Sequence, residues 1–290
     1  MCAKHSTIIQ PGSSLQRKFL RMALKRARSP SQGSSAVAEV VTSRKKKSNP
    51  LIDVYSKTYN PVPSEDAYYR PFCAIADWAK QQDVTVEKVL YPGSFIHVVP
   101  SLVFPSVVYI DSMLGKKNFV PNFFSEENRL HLNALLSVGE KYCSDVGASI
   151  TFYSEDFTKP GGLVSKAAPS SFDLLISLSA SGSIPELCYP LLRDGGLLVV
   201  NDDFGDGCLA KAMSDKFSFI GAVEEDDNGV STLTTSAQDL LDHGHFVSKK
   251  SHVPLGTDEL QKNCGLSFSK RPFKSKKYAI VYLFQKTSTT

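Results

Sequence analysis

The pattern of apolar and polar positions along the chain tightens from Ser64, where helical and strand-like stretches begin to alternate. Tyr68, Phe72, Ile75, Ala76 and Ala79 recur at helical spacing behind Ser64, an N-cap residue type, and behind Glu65 and Asp66, acids suited to a first turn. This pattern predicts a helix over about 65–82. Five short apolar runs follow: "KVLYP", "SVVYID", "SITFYSED", "FDLLISLS" and "GGLLVVND". Between the second and third, "SEENRLHLNALLSVGEKYCSDVG" carries a Ser125 cap, an acidic first turn and a Gly147 stop, and reads as a helix. Between the fourth and fifth, "SIPELCYPLLRDGG" reads as a shorter helix ending at Gly195.

Apolar strands separated by helices imply a parallel sheet covered on both faces, that is, a doubly wound, Rossmann-like α/β fold. After Asn201 the pattern changes to a helix near 206–215, a strand "FSFIGAV", a long variable stretch, and "KYAIVYLFQ" from Lys277. Two late strands around an irregular insert suit an antiparallel pair closing one edge of the sheet. The chain shows no internal repeat.

Composition divides the chain in two. Residues 1–50 hold eleven Lys/Arg against one acid, Glu39, whereas 51–290 are mildly acidic. The first segment is rich in Ser, Gly and Pro, cannot bury enough surface to offset chain entropy, and reads as a basic, disordered tail. Within it, Leu15–Arg28 has the pattern of a basic amphipathic helix, and Arg44–Lys47 is a compact positive run. A targeting presequence, a nuclear signal and a solvated tail all fit. The acidic body argues against nucleic-acid binding by the folded part, which leaves any such role to the tail.

The six cysteines are widely spaced, without C-x-x-C, and read as reduced thiols. No apolar stretch reaches the roughly 18 residues of a membrane helix, so the chain reads as intracellular, cytoplasmic unless the tail directs it elsewhere. "HGH" at His243–His245 lacks the i,i+4 spacing of a helical metal pair and reads as a solvated loop, so no metal site is assigned. "KRPFKSKK" at Lys270–Lys277 reads as a charged lead-in to the last strand.

The stretch that bears on chemistry is "VEKVLYPGSFIHVVPSLVFPSVVYID", in which a strand turns at Pro92-Gly93 and a second strand closes on Asp111. In a doubly wound sheet the first βα turn approaches the ligand, and an acid after the second strand binds ribose hydroxyls. Gly93 suits such a turn because it tolerates positive φ and lets main chain come close to a ligand.

With these features in order, the chain resembles the class I S-adenosylmethionine-dependent methyltransferase superfamily over about residues 64–285. "LYPGSFIH" stands at its glycine-rich loop, Asp111 at its second-strand acid, Asp156 with Phe157 at its adenine side, and "CYPLLRDGGLLVVND" at its helix, Gly-Gly turn and fifth strand. The glycine motif is reduced to one residue, the fourth strand ends in "SLSASG" without D/N-P-P-Y, and the acids of a catechol-type metal site are incomplete despite Asn201, Asp202 and Asp203.

The resemblance implies S-adenosyl-L-methionine as cofactor. It implies a binding set of Tyr91, Pro92, Gly93, Ser94, His97, Asp111, Asp156, Phe157 and Ser177. Tyr91 would pack, Ser94 line the loop, Asp111 hold the ribose, Asp156 accept from the adenine amino group and Phe157 stack on the ring. Methyl transfer from a sulfonium needs mainly in-line positioning, and no catalytic base is legible. The methyl acceptor is not legible either. Two other functions stay open: a non-catalytic protein of this fold acting through a partner, and a nicotinamide-dependent oxidoreductase, which shares Gly93 and Asp111 but wants a fuller glycine fingerprint.

Overall fold

A computed structural model of the chain describes residues 50–112, 119–139, 142, 149–159, 161–180, 182–226, 228–248, 250–263 and 279–288. The tail before residue 50, Gly147 and Lys270–Lys277 lie outside the described residues. Among the described residues eight strands form one sheet: β1 (Lys88–Pro92), β2 (Ser106–Ile110), β3 (Ser149–Tyr153), β4 (Phe172–Ser177), β5 (Leu192–Val200), β6 (Phe217–Glu225), β7 (Ser231–Thr234) and β8 (Ala279–Lys286). Their order is β3-β2-β1-β4-β5-β8-β6-β7. The first five strands are parallel, and β8 runs antiparallel to both β5 and β6, so β6 points the same way as β5. The antiparallel edge expected from the sequence is present; β8 lies inside it, and β7, a short strand in the variable stretch, forms the rim.

The described helices are α1 (Pro50–Thr58), α2 (Tyr69–Gln81), α3 (Phe119–Phe123), α4 (Arg129–Val138), α5 (Leu163–Lys166), α6 (Ile184–Cys188), α7 (Asp206–Ala212), α8 (Ala237–Asp242) and α9 (Thr257–Asn263). Strand alternation sorts side chains onto two faces. Val89, Tyr91, Val107, Tyr109, Leu174, Ile176, Leu197, Val199, Val281 and Leu283 pack on one side with Tyr55 of α1 and Phe72 and Ile75 of α2. Leu90, Val108, Ile110, Leu175, Leu198, Val200, Tyr282 and Phe284 pack on the other with α6 and α7, through Ile184, Cys188, Cys208 and Ala210. Both faces are covered, as a parallel sheet requires.

Three element boundaries differ from the periodicity. The helix expected from about residue 65 begins at Tyr69, because Asp66 first forms a turn: its carboxylate accepts from Tyr68 N–H at 3.0 Å and its carbonyl from Tyr69 N–H at 3.0 Å. The helix expected from Ser125 begins at Arg129 after a 3-10 turn over Glu126–Asn128 and stops at Val138. The next residue, Gly139, passes so near Leu102 that a Cβ would lie 2.8 Å from its Cδ1. The fifth strand starts at Leu192, so the Gly195-Gly196 pair sits within it rather than at the end of a helix.

Candidate functional site

The strand order reverses between β1 and β4, and the crevice outside the carboxyl ends of these strands is where a doubly wound sheet binds ligands. Gly93 leaves β1 with φ +67°, and its N–H donates to Ile110 O at 2.8 Å, which ties the turn to the end of β2. Asp111, 5 % exposed, follows directly. Its Oδ2 accepts from Phe95 N–H at 2.8 Å, and its own N–H donates to Tyr153 O at 3.2 Å at the end of β3. The turn after β1 and the acid after β2 are therefore one hydrogen-bonded unit. Phe95 (φ +51°) and Ser179 (φ +50°), both non-glycine residues in the left-handed region, stand on the two sides of the switch point. Such strain persists only where the surroundings over-determine it, and it gathers at functional sites.

The remaining candidate residues divide into groups. Tyr91 and Pro92 are the buried last residues of β1, and Ser94 is buried with its hydroxyl lacking a hydrogen-bond partner. Phe157 is half-buried and its ring lies over Gly93: a Cβ there would meet Phe157 Cε1 at 3.5 Å and Ala180 Cβ at 3.2 Å. Asp156 turns to its own loop, accepting from Thr158 N–H at 3.0 Å and Thr158 Oγ1 at 2.6 Å, with Lys159 Nζ at 3.7 Å. Burial works to raise its pKa, but these donors and the Lys159 charge outweigh burial and hold the carboxyl below its usual range.

His97 faces inward instead of toward the crevice. Only 2 % exposed, it lies 3.1 Å from the Tyr91 hydroxyl through Nδ1 and 3.3 Å from Asp66 Oδ1 through Nε2, among the rings of Tyr59, Tyr68 and Phe72. It thereby ties the loop after β1 to the turn that opens α2.

A polar group built on Asn201 and Asp203, two residues of the incomplete metal set, together with Tyr68 and Ser179, lies beside the ends of β4 and β5. Asn201 Nδ2 donates to Tyr68 Oη at 3.1 Å, Ser179 Oγ at 3.0 Å and Asp203 Oδ2 at 2.9 Å, while Ser179 N–H donates to Asn201 Oδ1 at 2.9 Å. The signal for it was the "ND" that ends the fifth apolar run. Behind it Ser177, fully buried, stands beside Asp206, whose carboxyl accepts from Gly182 N–H at 3.1 Å. Burial raises Asp206 to about 7, helped by the Asp202 charge and opposed by the Ser177 hydroxyl and the Gly182 and Ile184 N–H groups.

Two surface cavities lie elsewhere. One of about 410 Å³ is lined by Phe124, Arg129 and Phe152, and one of about 570 Å³ by Lys80, Phe104 and Tyr142. Neither is lined by Gly93, Asp111 or Phe157. No helix among the described residues is long and apolar enough to cross a membrane.

No family model matches the sequence, and no curated protein matches it. Solved structures similar in fold include the YcgJ protein from Bacillus subtilis, at 12% identity and TM-score 0.33 over 74% of this chain and 99% of that one. A methyltransferase from Geobacter sulfurreducens aligns at 13% identity and TM-score 0.36 over 60% and 86% of the two chains. The tRNA (m1A58) methyltransferase TrmI from Aquifex aeolicus aligns at 12% identity and TM-score 0.33 over 74% and 69%. The strand order, with five parallel strands and β8 antiparallel between β5 and β6, gives the chain a doubly wound, Rossmann-like α/β fold.

Proposed function

We propose that residues 51–290 form a methyltransferase-type domain that binds S-adenosyl-L-methionine at the β1–β4 switch point and transfers its methyl group, with residues 1–50 as a basic tail. The observation that carries this reading is the unit made by the Gly93 turn and Asp111, a backbone close-approach point joined to a buried carboxylate through Phe95 N–H. The unpartnered, buried Ser94 hydroxyl on the same loop supports it, since a buried polar group without a partner costs about 1–3 kcal/mol and marks a place where a ligand atom would be stabilising.

In this reading Asp111 holds the ribose hydroxyls, Gly93 and Ser94 present main chain and hydroxyl, and Phe157 stacks on the adenine once its ring leaves Gly93. The cofactor supplies a methyl group already activated on a sulfonium, so the chain's task is to orient an acceptor and exclude water. Tyr68, Ser179, Asn201 and Asp203 would face that acceptor, and their mutual hydrogen bonds fix their orientation before it arrives.

Phe157 over Gly93 favours a second reading, a protein that keeps the fold and acts without the cofactor. Calorimetry with S-adenosylhomocysteine on the wild type and on Phe157→Ala separates the two. Binding that is retained or strengthened in Phe157→Ala, with Asp111→Ala about tenfold weaker or more, supports the methyltransferase. Absence of binding in both proteins supports the second reading.

A further inference from the structure

The "HGH" stretch, expected to be a solvated loop, is drawn into the sheet. His245 is 4 % exposed and Glu224, near the end of β6, is 5 % exposed. His245 Nε2 lies 2.7 Å from Glu224 Oε1, and His243 Nδ1 lies 2.8 Å from the same oxygen. The His243 nitrogen is buried and does not meet hydrogen-bond geometry toward Glu224, so its approach is not accounted for by a hydrogen bond. All three donor atoms fall within 4.8 Å of one another.

Outer partners orient these groups as ligands of a metal site are oriented. Thr234 Oγ1 of β7 donates to Glu224 Oε2 at 2.8 Å, leaving Oε1 to the imidazoles. The Tyr282 hydroxyl of β8 stands 3.4 Å from His245 Nδ1, the nitrogen turned away from Glu224. A ring held through one nitrogen with the other aimed inward, beside a carboxylate held through one oxygen, is the arrangement that fixes tautomer and direction in metal centres.

We propose that Glu224, His243 and His245 bind a divalent transition-metal ion of the zinc class. Two imidazoles and one carboxylate suit Zn²⁺, whose N and O ligands lie at about 2.0–2.2 Å, and do not suit Mg²⁺ or Ca²⁺, which take oxygen donors. Small outward shifts of the present 2.7 and 2.8 Å separations admit such an ion. The side chain of His243, 21 % exposed, gives it a route in from solvent. The site lies at the same end of the sheet as Asp111 but about 24 Å along it, five strand spacings from β2. Its effect is to pin the segment after α8 to β6 and β7, independently of any cofactor at the switch point.

The test uses the full chain freed of metal by a chelator. Zn²⁺ at about a hundredfold excess over its dissociation constant should raise the melting temperature by about 5–10 °C, and Mg²⁺ should not. Co²⁺ should give visible ligand-field bands. His243→Ala, at the accessible edge of the cluster, should melt as the metal-free wild type does, and both it and Glu224→Gln should lose at least about tenfold to a hundredfold in Zn²⁺ affinity. No Zn²⁺ shift in the wild type, or the same shift in His243→Ala, which would place the ion elsewhere on the chain, overturns the proposal.

Discussion

Two places on the sheet's carboxyl edge are built in opposite ways. At the β1–β4 switch point the geometry is made by main chain: a positive-φ glycine, two strained residues, and Asp111 answering Phe95 N–H. At the β6–β7–β8 flank it is made by side chains from separate segments, with Glu224, Thr234, His243, His245 and Tyr282 meeting across three strands and a loop. The contrast teaches where tolerance lies. A site made by main chain fails when a Cβ or a φ preference is changed, and a site made by side chains fails when a donor or acceptor is removed.

The largest expected effect is on the side-chain cluster. Glu224→Ala takes the acceptor away from the buried His245 Nε2 and the half-buried Thr234 Oγ1 and should cost about 3–5 kcal/mol, read as the shift in denaturant midpoint at unchanged slope. A loss within 0.5 kcal/mol would show the cluster to be energetically idle. Because the Glu224 pKa is depressed in the fold, its contribution is present above the ordinary Glu range and disappears as pH falls through the folded value. Glu224→Gln should flatten that acid limb.

At the main-chain site the expected effect is somewhat smaller on stability and larger on binding. Gly93→Val places a branched side chain at φ +67° against Ala180 and Phe157, which should cost about 2–4 kcal/mol and abolish S-adenosylhomocysteine binding. Equal losses in melting temperature and binding for Gly93→Val and for a variant far from the crevice would mean the turn serves folding only.

Asp111→Ala removes the acceptor of Phe95 N–H and, in the proposed function, the ribose ligand. Cofactor affinity should fall by about 1.5–3 kcal/mol, tenfold or more by calorimetry. Unchanged affinity in the folded variant removes Asp111 from the site and leaves it as the support of the loop.

Smallest and of opposite sign is Asp206→Asn. Its folded pKa of about 7 stands above the unfolded value, so its contribution is full below about pH 4 and is lost as pH rises to 7. Replacing the carboxyl by an amide should therefore raise stability at pH 8 by on the order of 1–2 kcal/mol and reduce the fall between pH 4 and 7. A variant less stable than the wild type at pH 8 would show that the charge is needed where it lies.

Gly93 and Asp111 were legible because each sits at the end of an apolar run and each type has a backbone reason to be there. The apolar runs themselves determined the parallel core, since residues buried on both faces must be apolar throughout. The sequence by itself thus determined the strands of the parallel core and the two long late strands, that helices cover both faces, and where main chain turns sharply at the crevice, but not the short rim strand β7. It did not show that Phe157 rests on Gly93, that His97 turns inward to Tyr91 and Asp66, or that β8 inserts between β5 and β6. Nor did it show that Glu224, an acid at the end of an apolar strand, meets two histidines some twenty residues away. Those contacts depend on register and on chain closure between distant segments, which local periodicity does not encode. Tertiary packing alone decided them, because the neighbours that settle a polar side chain's partner come from other strands.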